Sequence, residues 1–288
     1  MRRAEQFTLP CMYHGEGPYW DSRTNRLLCV DVLAGAVVAI DSDGGLRRYP
    51  VPSRAVTVIR RRVHTGFVIA TEHGVMVADE GLTIFDHFAE LVDEPNVRTN
   101  DGCCDPLGAL VIGTMSYQEE ADRGAVFRVA PDGQPAEILL APVSISNGVQ
   151  WSADSRQVFY IDTPTRRVDA FDFDTRTGAW TGRRTHVRIE NPQGFPDGMA
   201  IDEEDGLWIA LWGAGAVNHY DKDGRLVETI TVPGVTQVSS CTFGGDDRSV
   251  LYITTSRKDL AAGQEPAAGA VFSLQTSVRG AVPAEFAG

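Results

Sequence analysis

The 288-residue chain predicts an all-β fold: a single six-bladed β-propeller domain of four-stranded blades over residues 1–288. Three observations carry this. A pattern of strand, turn and strand recurs about every 45 residues, the length of one blade. Within the strands apolar and polar side chains alternate, as in Val168-Asp169-Ala170-Phe171-Asp172-Phe173. No apolar stripe of helical period runs beyond two turns, and 29 glycines with 15 prolines supply the turns that many short strands need.

The copies follow one another without a linker. The first has Tyr19-Trp20-Asp21, then strands over 26–31 and 36–41; the second, weaker, has strands over 66–71 and 74–79. The third runs from Asp105 through 109–114 to 124–129, and the fourth from Trp151 through 158–162 to 168–174. The fifth gives 206–211 and 216–221, the sixth 250–255 and 269–274. Asp-Gly pairs such as Asp43-Gly44, Asp132-Gly133 and Asp223-Gly224 mark turns leading to the outer strands.

Composition narrows the function. The formal charge of −13 repels phosphate backbones, so no nucleic-acid partner is expected. Arg60-Arg61-Arg62 is the only basic cluster, and reads as a solvated turn. No apolar run approaches the ~20 residues that span a bilayer, so no membrane partner is expected either. The five cysteines form no CxxC pair, Met1–Gln6 has no leader pattern and there is no glycosylation sequon. A cytoplasmic location with free thiols follows as an expectation, with no obligate protein partner.

The innermost strands of a propeller line its axis, so residues in equivalent repeat positions converge. A polar residue followed by glycine recurs in phase: Glu16-Gly17, Asp101-Gly102, Asn147-Gly148 and Asp197-Gly198. The sixth repeat offers Ser239-Ser240 and the second Ser53-Arg54. Oxygens from several blades meeting at one point suit a hard divalent cation, and glycine after each lets the backbone turn sharply. Each such pair is also a common turn dipeptide. There is no GxSxG elbow, Walker loop, GxGxxG or HExxH. His14 stands out among six histidines because it lies two residues before Glu16. Cys103-Cys104 reads as inert inner-strand packing, and Trp212 as the one tryptophan able to reach the channel mouth.

Five stretches together resemble the senescence-marker-protein-30/gluconolactonase family. They are His14-Gly15-Glu16-Gly17-Pro18-Tyr19-Trp20, Arg98-Thr99-Asn100-Asp101-Gly102 with Gly113-Thr114-Met115, Ile145-Ser146-Asn147-Gly148, Phe195-Pro196-Asp197-Gly198-Met199, and Cys241-Thr242-Phe243-Gly244-Gly245. The resemblance implies a six-bladed propeller with a central metal site and sugar-lactone hydrolysis. It implies Glu16, Asn147 and Asp197 as ligands of one divalent cation (calcium, zinc, manganese or magnesium). Asp197 is also the implied catalytic general base, and Arg98 and Asn100 the substrate binders. In some members an acid after the Gly-Thr-Met strand touches substrate; that position here is Gln118, with Glu119 and Glu120 next. Asp101 is expected behind the metal ligands.

The chemistry is coherent. A lactone carbonyl oxygen becomes anionic on attack, a cation stabilises it, and a carboxylate takes the proton of water. The small-molecule partner is then a sugar (aldono-) lactone and the product an aldonic acid. Two other readings remain: a non-catalytic calcium-binding or scaffold propeller, and a metal-dependent esterase or phosphotriesterase.

Overall fold

Each repeat folds into one antiparallel sheet whose strands follow in chain order. The structure, a computed structural model, describes residues 2–190 and 194–288. Among the described residues there are six blades, with innermost strands Gly15–Asp21, Val56–Arg61, Val97–Cys104, Ser146–Trp151, Phe195–Ile201 and Val238–Gly244. The expected strands 26–31, 36–41, 124–129 and 250–255 have those bounds, and the others agree within one or two residues.

The ring is closed from the N-terminus. Glu5–Gln6 pairs with Val271–Gln275 and completes the sixth blade, while Arg2–Arg3 adds a parallel fifth strand to the fifth blade. The sequence repeats did not reveal these two-residue strands, because their partners lie at the far end of the chain. The C-terminal segment crosses the opposite face: Ala281 N–H donates to Ile201, Phe286 N–H to the carbonyl of Arg61, and Ala287 N–H to Gly108.

The apolar core is not on the axis. It is divided into six clusters, each wedged between two neighbouring blades. Tyr19, Val30 and Ile59 fill the wedge between blades one and two, and Met199, Ile161 and Ile209 that between four and five. Burying both faces of each sheet in this way leaves the axis free for polar groups.

Arg60 and Arg61 are not in a solvated turn. Both lie on the inner strand Val56–Arg61 and are buried. Arg61 donates from Nε and Nη2 to the two carboxylate oxygens of Asp21 at 2.9 and 2.7 Å, and it also pairs with Glu80. Arg60 donates to the carbonyls of Ile59 and Gly102. A buried guanidinium is tolerated here because its donors find acceptors.

Candidate active site

Every inner strand carries a register irregularity against its second strand, at the same height in all six blades. The breaks fall between Glu16 and Tyr19, Val56 and Val58, Thr99 and Gly102, Asn147 and Val149, Pro196 and Met199, and Val238 and Ser240. A bulge re-aims side chains that regular pleating would send into a wedge. The in-phase polar residues stand at these bulges. In the second blade the bulge residue is Thr57, not Ser53, which precedes the strand. Thr57 Oγ1 pairs with Thr99 Oγ1 at 2.7 Å, and Ser239 Oγ donates to the carbonyl of Gly15 at 2.6 Å. In blades two and six the position therefore ties neighbouring strands together.

The remaining bulges build a cavity of about 220 Å³ at one mouth of the channel. Glu16, Arg98, Asn100, Asn147 and Asp197 all line it. Asp101, beside Asn100, instead lines a separate cavity at the other side of the ring with Arg60, Gln150 and Trp151. One bulge thus sends two consecutive side chains in opposite directions.

The glycine after each polar residue serves mainly close approach rather than a sharp turn. Only Gly17 has a left-handed backbone, with φ +51°. A Cβ on Gly148 would lie 2.8 Å from Met199 Cγ, and one on Gly198 would come within 2.5 Å of Ser240 Cβ. The amides of Gly17 and Gly102 also donate to the carboxylates of Glu16 and Asp101, at 3.2 and 2.7 Å.

Asn147 is oriented by an unbroken chain of hydrogen bonds. Its Nδ2 donates to Thr163 Oγ1 at 2.7 Å, and that hydroxyl donates to the carbonyl of Pro196. Asn147 Oδ1 is thereby turned toward Asn100, whose Nδ2 donates to it at 3.0 Å. Arg98 Nη1 donates to Asn100 Oδ1 at 2.7 Å and to the carbonyl of Thr99 at 2.8 Å. Its guanidinium sits over the Tyr117 ring, 5.6 Å from the centroid, and its buried Nε has no partner among the described residues.

Electrostatically the floor is acidic. Burial, then the neighbouring Asp197 and Asp101, push Glu16 well above the usual carboxylate range. Burial and Asp101 do the same to Asp197. His14 lines the same wall, with Nδ1 2.8 Å from Ser256 Oγ and its ring edge-on to Trp212. Burial, helped by Arg98 and Lys258, lowers its pKa to about 3, so the imidazole stays neutral. The buried Asp197, the partly buried Glu16 and the amide oxygen of Asn147 line one cavity and form a donor set suited to a hard divalent cation, which would relieve the carboxylates' repulsion.

Gln118 is not among the residues lining this cavity. It is exposed, in a turn closed by the Glu119 amide on the Ser116 carbonyl, and its Oε1 accepts from Ser116 Oγ at 3.2 Å. Glu119, with φ +57°, lines the cavity in its place. Met115, Ile145, Pro164, Phe195 and Trp212 form an apolar wall. The sequence motifs did not single out Thr163, and they reached Glu119 only as the residue after Gln118. For Thr163 a signal existed: Asp162-Thr163 ends its strand as Asp31-Val32 does in the first repeat.

A profile of the SMP-30/gluconolactonase/LRE-like region matches residues 14–257. The chain belongs to this family. Among its relatives, regucalcin of Xenopus laevis is 32% identical over 287 residues, 95% of each chain. The Bacillus subtilis protein YvrE, provisionally named a sugar lactone lactonase, is 32% identical over 286 residues, again 95% of each. A solved structure of a calcium-binding protein, regucalcin, from Agrobacterium tumefaciens superimposes with a TM-score of 0.90 at 29% identity, covering 97% of this chain and 98% of that one. The expected propeller and family are therefore established.

Proposed function

We propose that this family member is a divalent-metal-dependent hydrolase that opens sugar (aldono-) lactones to aldonic acids. The observation that carries it is the gathering of Glu16, Asn147 and Asp197 with Arg98 and Asn100 on one sugar-sized cavity. Glu16, Asn147 and Asp197 would hold the cation, the two carboxylates balancing its charge. When bound, it would supply Lewis acidity at the lactone carbonyl oxygen.

The chain's own groups account for the rest. Asp197 accepts the proton of the attacking water at its carboxylate, as general base. Arg98 lines the cavity and spends only Nη1 on Thr99 and Asn100, which leaves Nη2 for sugar hydroxyls and for the carboxylate that forms on ring opening. Asn100 couples Arg98 to Asn147, so the substrate-binding and cation-holding groups are set relative to one another. The apolar wall packs against the C–H face of a sugar ring and excludes water from it. The five cysteines are all unpaired, which supports a reducing, cytoplasmic setting.

The calcium-binding relative favours a second reading, a propeller that binds calcium without catalysis. A panel of lactones, aryl esters and phosphotriesters, followed by proton release with and without chelator, separates them. Chelator-sensitive opening of lactones above the spontaneous rate supports the hydrolase. Cation binding without turnover of any panel member removes it.

A further inference from the structure

We propose that Glu119 and Lys258 form a clasp across the cavity mouth that rejects lactones bearing a bulky substituent, so that the site favours free monocyclic sugar lactones. This rests on the lactonase reading above and deepens it.

Glu119 follows the second strand of blade three, Leu110–Ser116; Lys258 follows the second strand of blade six, Val250–Thr255. These blades stand opposite each other in a ring of six. Lys258 Nζ nevertheless lies 2.9 Å from Glu119 Oε1. Side chains from opposite blades can meet only by passing over the axis, and Glu119 is part of the cavity wall.

Both arms are braced. The Lys258 amide donates to Ser256 Oγ at 3.0 Å, which pairs with His14 in the cavity wall, and the Arg257 amide donates to the Tyr13 carbonyl at 2.9 Å. Glu119 holds a left-handed backbone, rarely kept by such a residue unless its surroundings fix it. Burial alone would lower the Lys258 pKa, but Glu119 and Asp259 outweigh it and keep the ammonium charged.

The space beneath, about 220 Å³, falls below the ~300 Å³ at which clefts begin to hold drug-sized ligands. A single small ring fits under the closed pair. A larger substrate must hold it open and forfeits its contribution, about fivefold in binding for a part-exposed pair.

The test compares a plain aldonolactone with its O-benzyl derivative. Lys258→Met should raise the benzyl-to-plain ratio of kcat/KM about fivefold, Lys258→Arg should keep the parent ratio, and the exchanged pair Glu119→Lys/Lys258→Glu should restore it. Hydrogen exchange gives a readout free of turnover: peptides over 116–124 and 256–262 should both exchange faster in Lys258→Met and return in the exchanged pair. An unchanged ratio in Lys258→Met, or one that stays raised in the exchanged pair, overturns the clasp. If the parent opens no lactone, the lactonase reading fails, and unchanged exchange in the two peptides overturns the clasp on its own.

Discussion

Asp31 and Asp162 do the same task in opposite blades: each ends a second strand and grips the two backbone amides that lead into an inner strand. Asp31 accepts from Tyr13 and His14 at 3.1 and 3.0 Å, two residues before Glu16. Asp162 accepts from Ser144 and Ile145 at 3.2 and 3.0 Å, two residues before Asn147. The following residue then closes the loop, Val32 on the His14 carbonyl and Thr163 on the Ile145 carbonyl, each at 3.0 Å. The repeat supplies one positioning device twice, and two of the proposed cation ligands depend on it.

Asp162→Ala should therefore weaken divalent-cation affinity by roughly 10–100-fold, the usual cost of losing an outer-shell support, while the β-sheet spectrum persists. Titration calorimetry checks this. Parent-like affinity would show that the Asp162 grip does not place Asn147.

Glu16→Gln should weaken cation binding more than it weakens folding. The neutral amide removes one of two negative charges and also lowers the repulsion on Asp197 that burial makes costly. Calorimetry and thermal melting of the cation-free protein separate the two effects. Equal affinity for variant and parent would remove Glu16 from the cation's ligands.

Gly198→Ala should lower stability by about 1–3 kcal/mol, because its Cβ would drive the inner strands of blades five and six apart at Ser240. Adding Ser240→Gly should recover most of the loss. Failure of that second change to help would locate the strain elsewhere.

Acid should release the Asp21–Arg61 pair. Burial alone would raise the Asp21 carboxyl, but the two hydrogen bonds from Arg61, with Thr24 behind them, outweigh it and hold it below the usual range. A carboxylate lowered on folding adds stability above about pH 4 and loses it as pH falls through the folded value. Asp21→Asn should melt earlier than the parent at pH 7, by up to about 3 kcal/mol, with Glu80 retaining a share of Arg61. The gap should narrow below pH 4. A gap constant from pH 7 to pH 3 would contradict the assignment.

The sequence made the second and third strands of each blade legible because both their faces are buried in wedges; Arg26–Asp31 and Ala36–Asp41 are cases. Outer strands such as Leu46–Pro50 and Trp180–Arg188 are mostly exposed and carry no comparable alternation. The in-phase polar-glycine pairs located the cavity. Spacing could not reveal that the bulge at Asn100 and Asp101 splits them between two cavities, nor that a left-handed Glu119 borders the cavity mouth where Gln118 was expected. Both depend on local backbone shape, which strand periodicity does not encode. Arg61 was misread for a related reason: its partners, Asp21 and Glu80, come from separate parts of the chain.

In the proposed reaction Asp197 takes the proton of water in a cation-dependent lactone opening. Single-turnover hydrolysis of an aldonolactone by parent and Asp197→Asn, each at saturating cation with occupancy verified by calorimetry, tests it most directly. The rate should fall by about 10²–10⁴-fold with the fold intact. Turnover close to the parent's, with the cation bound, would contradict it.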